Sequence, residues 1–160
     1  MSLPDHIIRP AEPGDRGYII DTWLQTYRHS PFATKLPDWA YWSRFGHVGL
    51  VEHLVDSPDT KFAVACLPEG GPWMYGWVAY ATHPALTLHY VFVRDEYRRY
   101  VNRDEHGDRV PGGFGRLLFE HMQLDALWPV VTHLTADFSR RLARGRPVVF
   151  RNPYRKDVTT

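Results

Sequence analysis

A chain of 160 residues is the size of one domain and buries roughly 68–70% of its unfolded surface, so the core needs no covalent staple. Its one cysteine, Cys66, excludes an intramolecular disulfide and a thiolate metal cage, and no segment reaches the ~18 consecutive apolar residues of a membrane span. The net charge of +1 hides an asymmetry, because residues 139–160 carry +6 and leave −5 on residues 1–138.

In chain order, Met1-Ser-Leu-Pro-Asp-His6 lacks a basic end followed by an apolar run, which predicts a cytoplasmic protein with no signal peptide. His6-Ile-Ile-Arg9 predicts a short opening strand, closed by Pro10 and the turn Glu12-Pro-Gly-Asp15, with Asp15 placed to cap a helix. Ile19, Ile20, Trp23, Leu24 and Tyr27 recur at three- and four-residue steps and so form one helical face, which Pro31 ends. After the loop Ser30–Pro37, Asp38 is placed to cap a second helix carrying Trp39, Tyr41, Trp42 and Phe45. That helix meets Gly46 and Gly49 before resuming through Val51, Leu54 and Val55. Two glycines at roughly 1 kcal/mol each predict two pieces with a hinge. The aromatics there fit a lid or a substrate wall, but plain core packing is the expected role.

Phe62–Leu67 and Trp73–Ala81 read as strands joined by Pro68-Glu-Gly-Gly-Pro72 into an antiparallel hairpin. Thr82-His-Pro-Ala85 turns the chain into a third strand, Leu86–Val93, rich in β-branched and aromatic residues and therefore largely buried. Phe114, Leu117, Leu118, Met122, Leu124 and Leu127 mark a helical face that Pro129 ends. Val130–Leu134 is a further strand, Arg140–Arg144 a short helix at most, and Val148–Arg151 a last strand.

The stretch from Leu86 to Leu118 carries the functional signal. Its strand runs into the basic turn Arg94-Asp-Glu-Tyr-Arg-Arg99, and Gly113-Phe-Gly-Arg-Leu-Leu118 then opens a helix with glycines that let a ligand approach the backbone. Free N–H groups and the helix dipole at such a start make an anion site, so the expected ligand bears phosphate. Other chemistries lack support. The nine histidines include no His-x-x-x-His or His-Glu-x-x-His, so no metal site is expected. No serine sits in Gly-x-Ser-x-Gly, and no Gly-x-x-x-x-Gly-Lys occurs. The basic segment 139–160 fits either a solvated face or an anionic partner, the ligand's phosphates or a nucleic acid.

The opening Ile8-Arg-Pro-Ala-Glu-Pro-Gly-Asp15, the segment Leu88-His-Tyr-Val-Phe-Val-Arg-Asp-Glu-Tyr-Arg-Arg99 and Gly113-Phe-Gly-Arg-Leu-Leu118 come in an order that resembles the GNAT-type acyl-CoA N-acyltransferases. The resemblance covers roughly residues 6–135; Trp23–Phe32 and Asn152-Pro-Tyr154 also resemble GNAT-related proteins carried by phages and prophages. It implies an α/β (α+β) fold, one domain with a mixed, mostly antiparallel sheet of about six strands flanked by helices. One departure is the polar insert Tyr100–Gly112, since in the family the arginines lead almost directly into the glycines. Either it loops out, the favoured reading because surface loops absorb insertions cheaply, or it displaces Arg98 and Arg99 from the site.

The activity implied is direct transfer of an acetyl group from acetyl-CoA, as co-substrate, to an amine acceptor. The resemblance places Val91, Phe92 and Val93 at the thioester, with backbone N–H groups for the oxyanion. It places Arg98, Arg99, Gly113, Phe114, Gly115 and Arg116 at the pyrophosphate. A protonated amine has no lone pair, so a base is required, and His89 stands where relatives carry a glutamate. Its ordinary pKa of about 6.5 suits that task; a histidine satisfied inside the sheet is the rival reading, and Tyr90 is expected to pack on the opposite face. The family's acid is often a tyrosine within Asn-x-x-Ala-x-x-x-Tyr; that context is missing, and Tyr154 is the comparable residue, with an exposed tail as its rival reading. Two further functions stay open at this stage, a GNAT-fold binding module that has lost catalysis and a fold relative acting on nucleic acid. The sequence identifies neither the acceptor nor the oligomeric state.

Overall fold

The computed structural model of the chain describes residues 3–98, 102–103, 106, 109–110, 113–122, 130–133 and 149–150. In chain order the elements are β1 (Ile7–Pro10), α1 (Arg16–Tyr27), α2 (Asp38–Tyr41), α3 (His47–Asp56), β2 (Thr60–Cys66), β3 (Met74–Ala81) and β4 (Thr87–Val93). There follow β5 (Asn102–Arg103), β6 (Arg109–Val110), α4 (Phe114–His121), β7 (Val130–Val131) and β8 (Val149–Phe150). β1 to β4 form an antiparallel meander, β7 lies parallel to β4 and β8 parallel to β7, in one six-stranded sheet ordered β1-β2-β3-β4-β7-β8. This is the mixed, mostly antiparallel architecture expected.

The alternation of the strands sorts the core into two layers. Val64, Cys66, Trp77, Ala79, Tyr90 and Phe92 face α1 and α3, whereas Ala63, Ala65, Val78, Leu88, Val91 and Val93 face α4. The periodic face of α1 is the buried one, through Ile19, Trp23, Leu24 and Tyr27. Trp23 stacks on Tyr90 with centroids 5.4 Å apart. Thr22 and Thr26, one turn apart, then pin the helix to the sheet. Thr22 Oγ1 accepts the Trp77 indole N–H at 2.9 Å, and Thr26 Oγ1 lies 2.9 Å from the Tyr90 hydroxyl. Packing is therefore the role of Tyr90.

Several expectations are corrected. Asp15 does not cap α1 with its side chain; its carboxylate turns back to Arg9 at 2.7 Å and to the Glu12 N–H at 2.8 Å. Asp38 is the first residue of α2 rather than its cap, and pairs with Arg28 at 2.6 Å. The expected break falls at Gly46, where a Cβ would overlap the Ala40 carbonyl oxygen, while Gly49 lies inside α3. Of the aromatics expected in the core there, only Tyr41 is buried: Trp39 is 78% exposed, and Trp42 and Phe45 also face solvent.

The insert pairs with itself, Asn102 opposite Val110 and Arg103 opposite Arg109, as a small separate sheet. The expected Arg140–Arg144 helix, Leu124 and Leu127, and all of the basic segment 139–160 except β8 lie outside the described residues. Among the described residues no helix is long and apolar enough to cross a membrane.

Candidate active site

A one-residue irregularity in β4 creates the site. The pairing with β3 runs Gly76–Val93 through Ala79–Tyr90, then jumps to Tyr80–Leu88, so His89 is an extra residue on the β4 side. Arg94 N–H bonds to Tyr75 C=O at 2.9 Å, which fixes the hydrogen-bonded pairs beyond the bulge as alternate residues: Arg94, Phe92 and Tyr90. Val91 and Val93 therefore direct their N–H and C=O groups away from β3. Before the bulge the parity is opposite, since Leu88 C=O accepts the Thr132 N–H at 3.1 Å. Among the described residues β7 pairs with β4 at Thr87 and Leu88. The backbone N–H and C=O groups of half-buried Val91 and Val93 lie on the edge of β4 away from β3.

The start of α4 lies beside the far end of β4. A Cβ built on Gly115 would meet Val93 Cγ2 at 3.8 Å, an ordinary contact. The first intrahelical bond runs from Leu117 N–H to Gly113 C=O at 3.1 Å, so the first-turn amides point out of the helix end. The fully buried ring of Phe114 stacks on Tyr75 at 4.7 Å and fixes that end on the sheet. Arg98 is tethered here, its Nε donating to Val93 C=O at 2.8 Å and its Nη1 lying 3.0 Å from Asp95. Arg116 reaches Glu120 Oε1 at 2.7 Å.

His89 is only 8% exposed. Its Nδ1 is 3.0 Å from Thr132 Oγ1, and that hydroxyl is 3.0 Å from His133 Nδ1. His133 packs edge-on against Tyr27 at 4.7 Å, Trp23 at 5.1 Å and His47 at 5.2 Å, and His47 lies stacked between Tyr27 and Tyr41. Burial pushes the pKa of His47 and of His89 down to about 4. Burial also carries His133 well below the ordinary value, helped by repulsion from His47 and His89. The ordinary value of about 6.5 thus does not describe His89, which is neutral at pH 7. Among the described residues no group of three or more His, Cys, Asp or Glu is arranged to hold a metal ion.

No sequence family and no curated protein matches the chain. Solved structures do. A GCN5-related N-acetyltransferase from Rhodopseudomonas palustris superposes with a TM-score of 0.54 at 14% identity, covering 91% of this chain and 82% of that one. A histone acetyltransferase HPA2 and related acetyltransferase from Corynebacterium glutamicum gives 0.52 at 15%, covering 89% and 83%. A possible acetyltransferase from Clostridium difficile gives 0.51 at 14%, covering 98% and 100%. The chain has the GNAT-type acetyltransferase fold.

In this GNAT-type fold the structure brings together Val93, Arg98, Gly113, Phe114, Gly115 and Arg116 around the end of β4 and the start of α4, with Val91 two residues back along the strand and His89 at its bulge. Phe92, expected with its neighbours, is turned the other way: its backbone belongs to the β3 ladder and its ring lies 6.0 Å from Trp77. Arg99 and Tyr154 lie outside the described residues. Sequence reasoning missed Thr132, His133 and His47. Thr132-His133 follows a short strand and has no motif around it, and His47 follows the hinge glycine; their meeting depends on tertiary packing alone.

Proposed function

We propose that the chain is an acetyl-CoA-dependent N-acetyltransferase acting on an amine. The observation that carries this reading is the bulge at His89, which turns the Val91 and Val93 amides away from β3, in the strand end beside which α4 begins. The residues present suit acetyl-CoA. Gly76 shows what a glycine demanded by the fold looks like, since a Cβ there would overlap the Phe92 carbonyl. Among the described residues Gly115 meets no such obstacle, a Cβ there making only an ordinary contact with Val93, so a ligand can approach its backbone. The first-turn amides of α4, with the Arg98 guanidinium nearby, give a diphosphate both hydrogen bonds and positive potential.

Acetyl-CoA supplies the activated acyl group as a thioester; the chain supplies the rest. One N–H, that of Val91 or of Val93, serves the developing oxyanion, because the two stand about 6.6 Å apart along the strand and do not both reach one oxygen; fixed by the strand, it needs no reorganisation as charge forms. Neutral His89 is a weak base, unsuited to stripping a proton from a free alkylammonium. It accepts the proton as the C–N bond forms, when the nitrogen acquires positive charge and its N–H groups become acidic. Tyr154 is the proposed acid for the departing thiolate.

Titration calorimetry with acetyl-CoA tests the reading, followed by thiol release with a panel of amines. Binding with thiol release in the presence of an amine is the expected result. No heat at millimolar acetyl-CoA would overturn the proposal, and binding without thiol release from any amine would leave only a cofactor-binding module.

A further inference from the structure

Three buried imidazoles lie at or near the bulge of β4, and only His89 has a part in the chemistry above. Thr132 Oγ1 stands 3.0 Å from the Nδ1 atoms of both His89 and His133. A hydroxyl has one proton to give and lone pairs to receive. The arrangement that serves both rings has Thr132 donating to one and accepting from the other. Only one direction is compatible with a proton arriving on His89. An imidazolium carries N–H at both nitrogens, so Thr132 must accept from His89 Nδ1–H and donate to His133 Nδ1.

We propose that Thr132 and His133 are positioning residues for His89, holding it in the Nδ1–H tautomer so that its Nε2 stays a bare, proton-accepting nitrogen. The assignment rests on His89 as the base of the proposed transfer. His133 serves only while it remains a neutral acceptor, and its surroundings ensure this: Trp23 and Tyr27 from α1, His47 from α3 and Tyr90 from β4 pack around its ring. The titratable and charged groups facing the cluster are Tyr27, Tyr90 and His47. Behind them stands Tyr41 of α2, with the Arg28 guanidinium 4.9 Å over its ring. The arrangement has a visible cost. His133 Nε2, which carries the proton in this tautomer, is buried with no hydrogen-bond partner among the described residues.

The test is nitrogen NMR on the full chain labelled with [15N]histidine, in which two-bond proton–nitrogen correlations report the protonation of each ring atom. The His89 signals are identified by their loss in His89→Gln. The wild type is expected to show a proton on His89 Nδ1 and a bare Nε2 at neutral pH. Thr132→Ser preserves that pattern. Thr132→Val and His133→Phe shift the proton to Nε2 and lower the pH at which His89 titrates, because its imidazolium has lost an acceptor. Near-UV circular dichroism checks that each variant is folded. An Nε2–H tautomer in the wild type, or an unchanged pattern in folded Thr132→Val, overturns the proposal. Thiol release from acetyl-CoA with spermidine separates the two ideas. Unimpaired turnover in His89→Gln removes the base assignment alone, whereas a wrong tautomer alongside lost turnover removes the positioning role alone.

Discussion

Burying three neutral histidines makes the protein sensitive to mild acid. His47 and His89 titrate near 4 in the native state and His133 well below its ordinary value, against about 6.5 in an unfolded chain. Between those limits the unfolded chain binds protons that the native state refuses. Stability therefore rises with pH in this window, is complete above the unfolded value, and is lost as pH falls toward the native one. Each group contributes about 1.4 kcal/mol per pH unit, so three contribute about 4 kcal/mol per unit when all are engaged. Over the roughly 2.5 units between about 6.5 and about 4 the three together remove about 10 kcal/mol, more than the whole stability of a chain in the lower part of the usual range of roughly 5–15 kcal/mol. Urea denaturation at several pH values from about 7 to about 5 measures the slope. His47→Phe keeps a flat ring between Tyr27 and Tyr41 and removes one titrating group, so the slope falls by about a third. A wild-type slope no steeper than one histidine's worth, or an unchanged slope in His47→Phe, would refute the buried cluster.

Gly115→Glu separates binding from folding. The helix gains up to about 1 kcal/mol by losing a glycine and gains again from an acidic residue in its first turn, so Tm rises by roughly 2–4 °C. A carboxylate about 4 Å from a phosphate costs about 4 kcal/mol at an effective dielectric of 20, which weakens acetyl-CoA roughly a thousandfold in calorimetry. Tight binding by the folded variant would remove α4 from the cofactor site. Gly76→Val is expected to destabilise by at least about 1–3 kcal/mol in urea melts, because its Cβ collides with the Phe92 carbonyl and lies 3.2 Å from Val93 Cα; wild-type stability would contradict the β3–β4 register. His89→Ala lowers turnover while sparing acetyl-CoA affinity, and equal loss of both would mark a structural role. Arg98→Ala weakens acetyl-CoA binding about tenfold and makes it less salt-dependent; unchanged affinity would place the diphosphate elsewhere.

What could be read from sequence was what local periodicity encodes. The spacing of Ile19, Trp23, Leu24 and Tyr27 marked both the existence and the buried face of α1, and the turn at Pro68–Pro72 marked the β2–β3 hairpin. Gly46 marked the hinge as a weak helix former; crowding does not single it out, since a Cβ on Gly49 inside α3 would equally overlap a carbonyl, that of Arg44. The aromatics before Gly46 misled, since a one-turn helix and the loop after it have no periodic face by which to tell core from solvent; Trp39 and Phe45 point outward. Within the site, Gly113-Phe-Gly was legible as a helix start, and Val91 and Val93 as the strand end beside it. The tilt of Phe92 toward β3, the depressed pKa of His89 and its bond to Thr132 were not. Each depends on the extra residue in β4 or on a contact between residues 43 positions apart.

The bulge at His89 also makes the count of residues in β4 a functional quantity in its own right. Were His89 paired as an ordinary strand residue, alternation would run unbroken from Leu88 and carry the amides of Val91 and Val93 into the ladder with β3. No side chain would be lost in such a slip, yet the polar edge left to a ligand would be exchanged for its neighbour. That edge is thus set by the phase of the strand and not by the identity of its side chains.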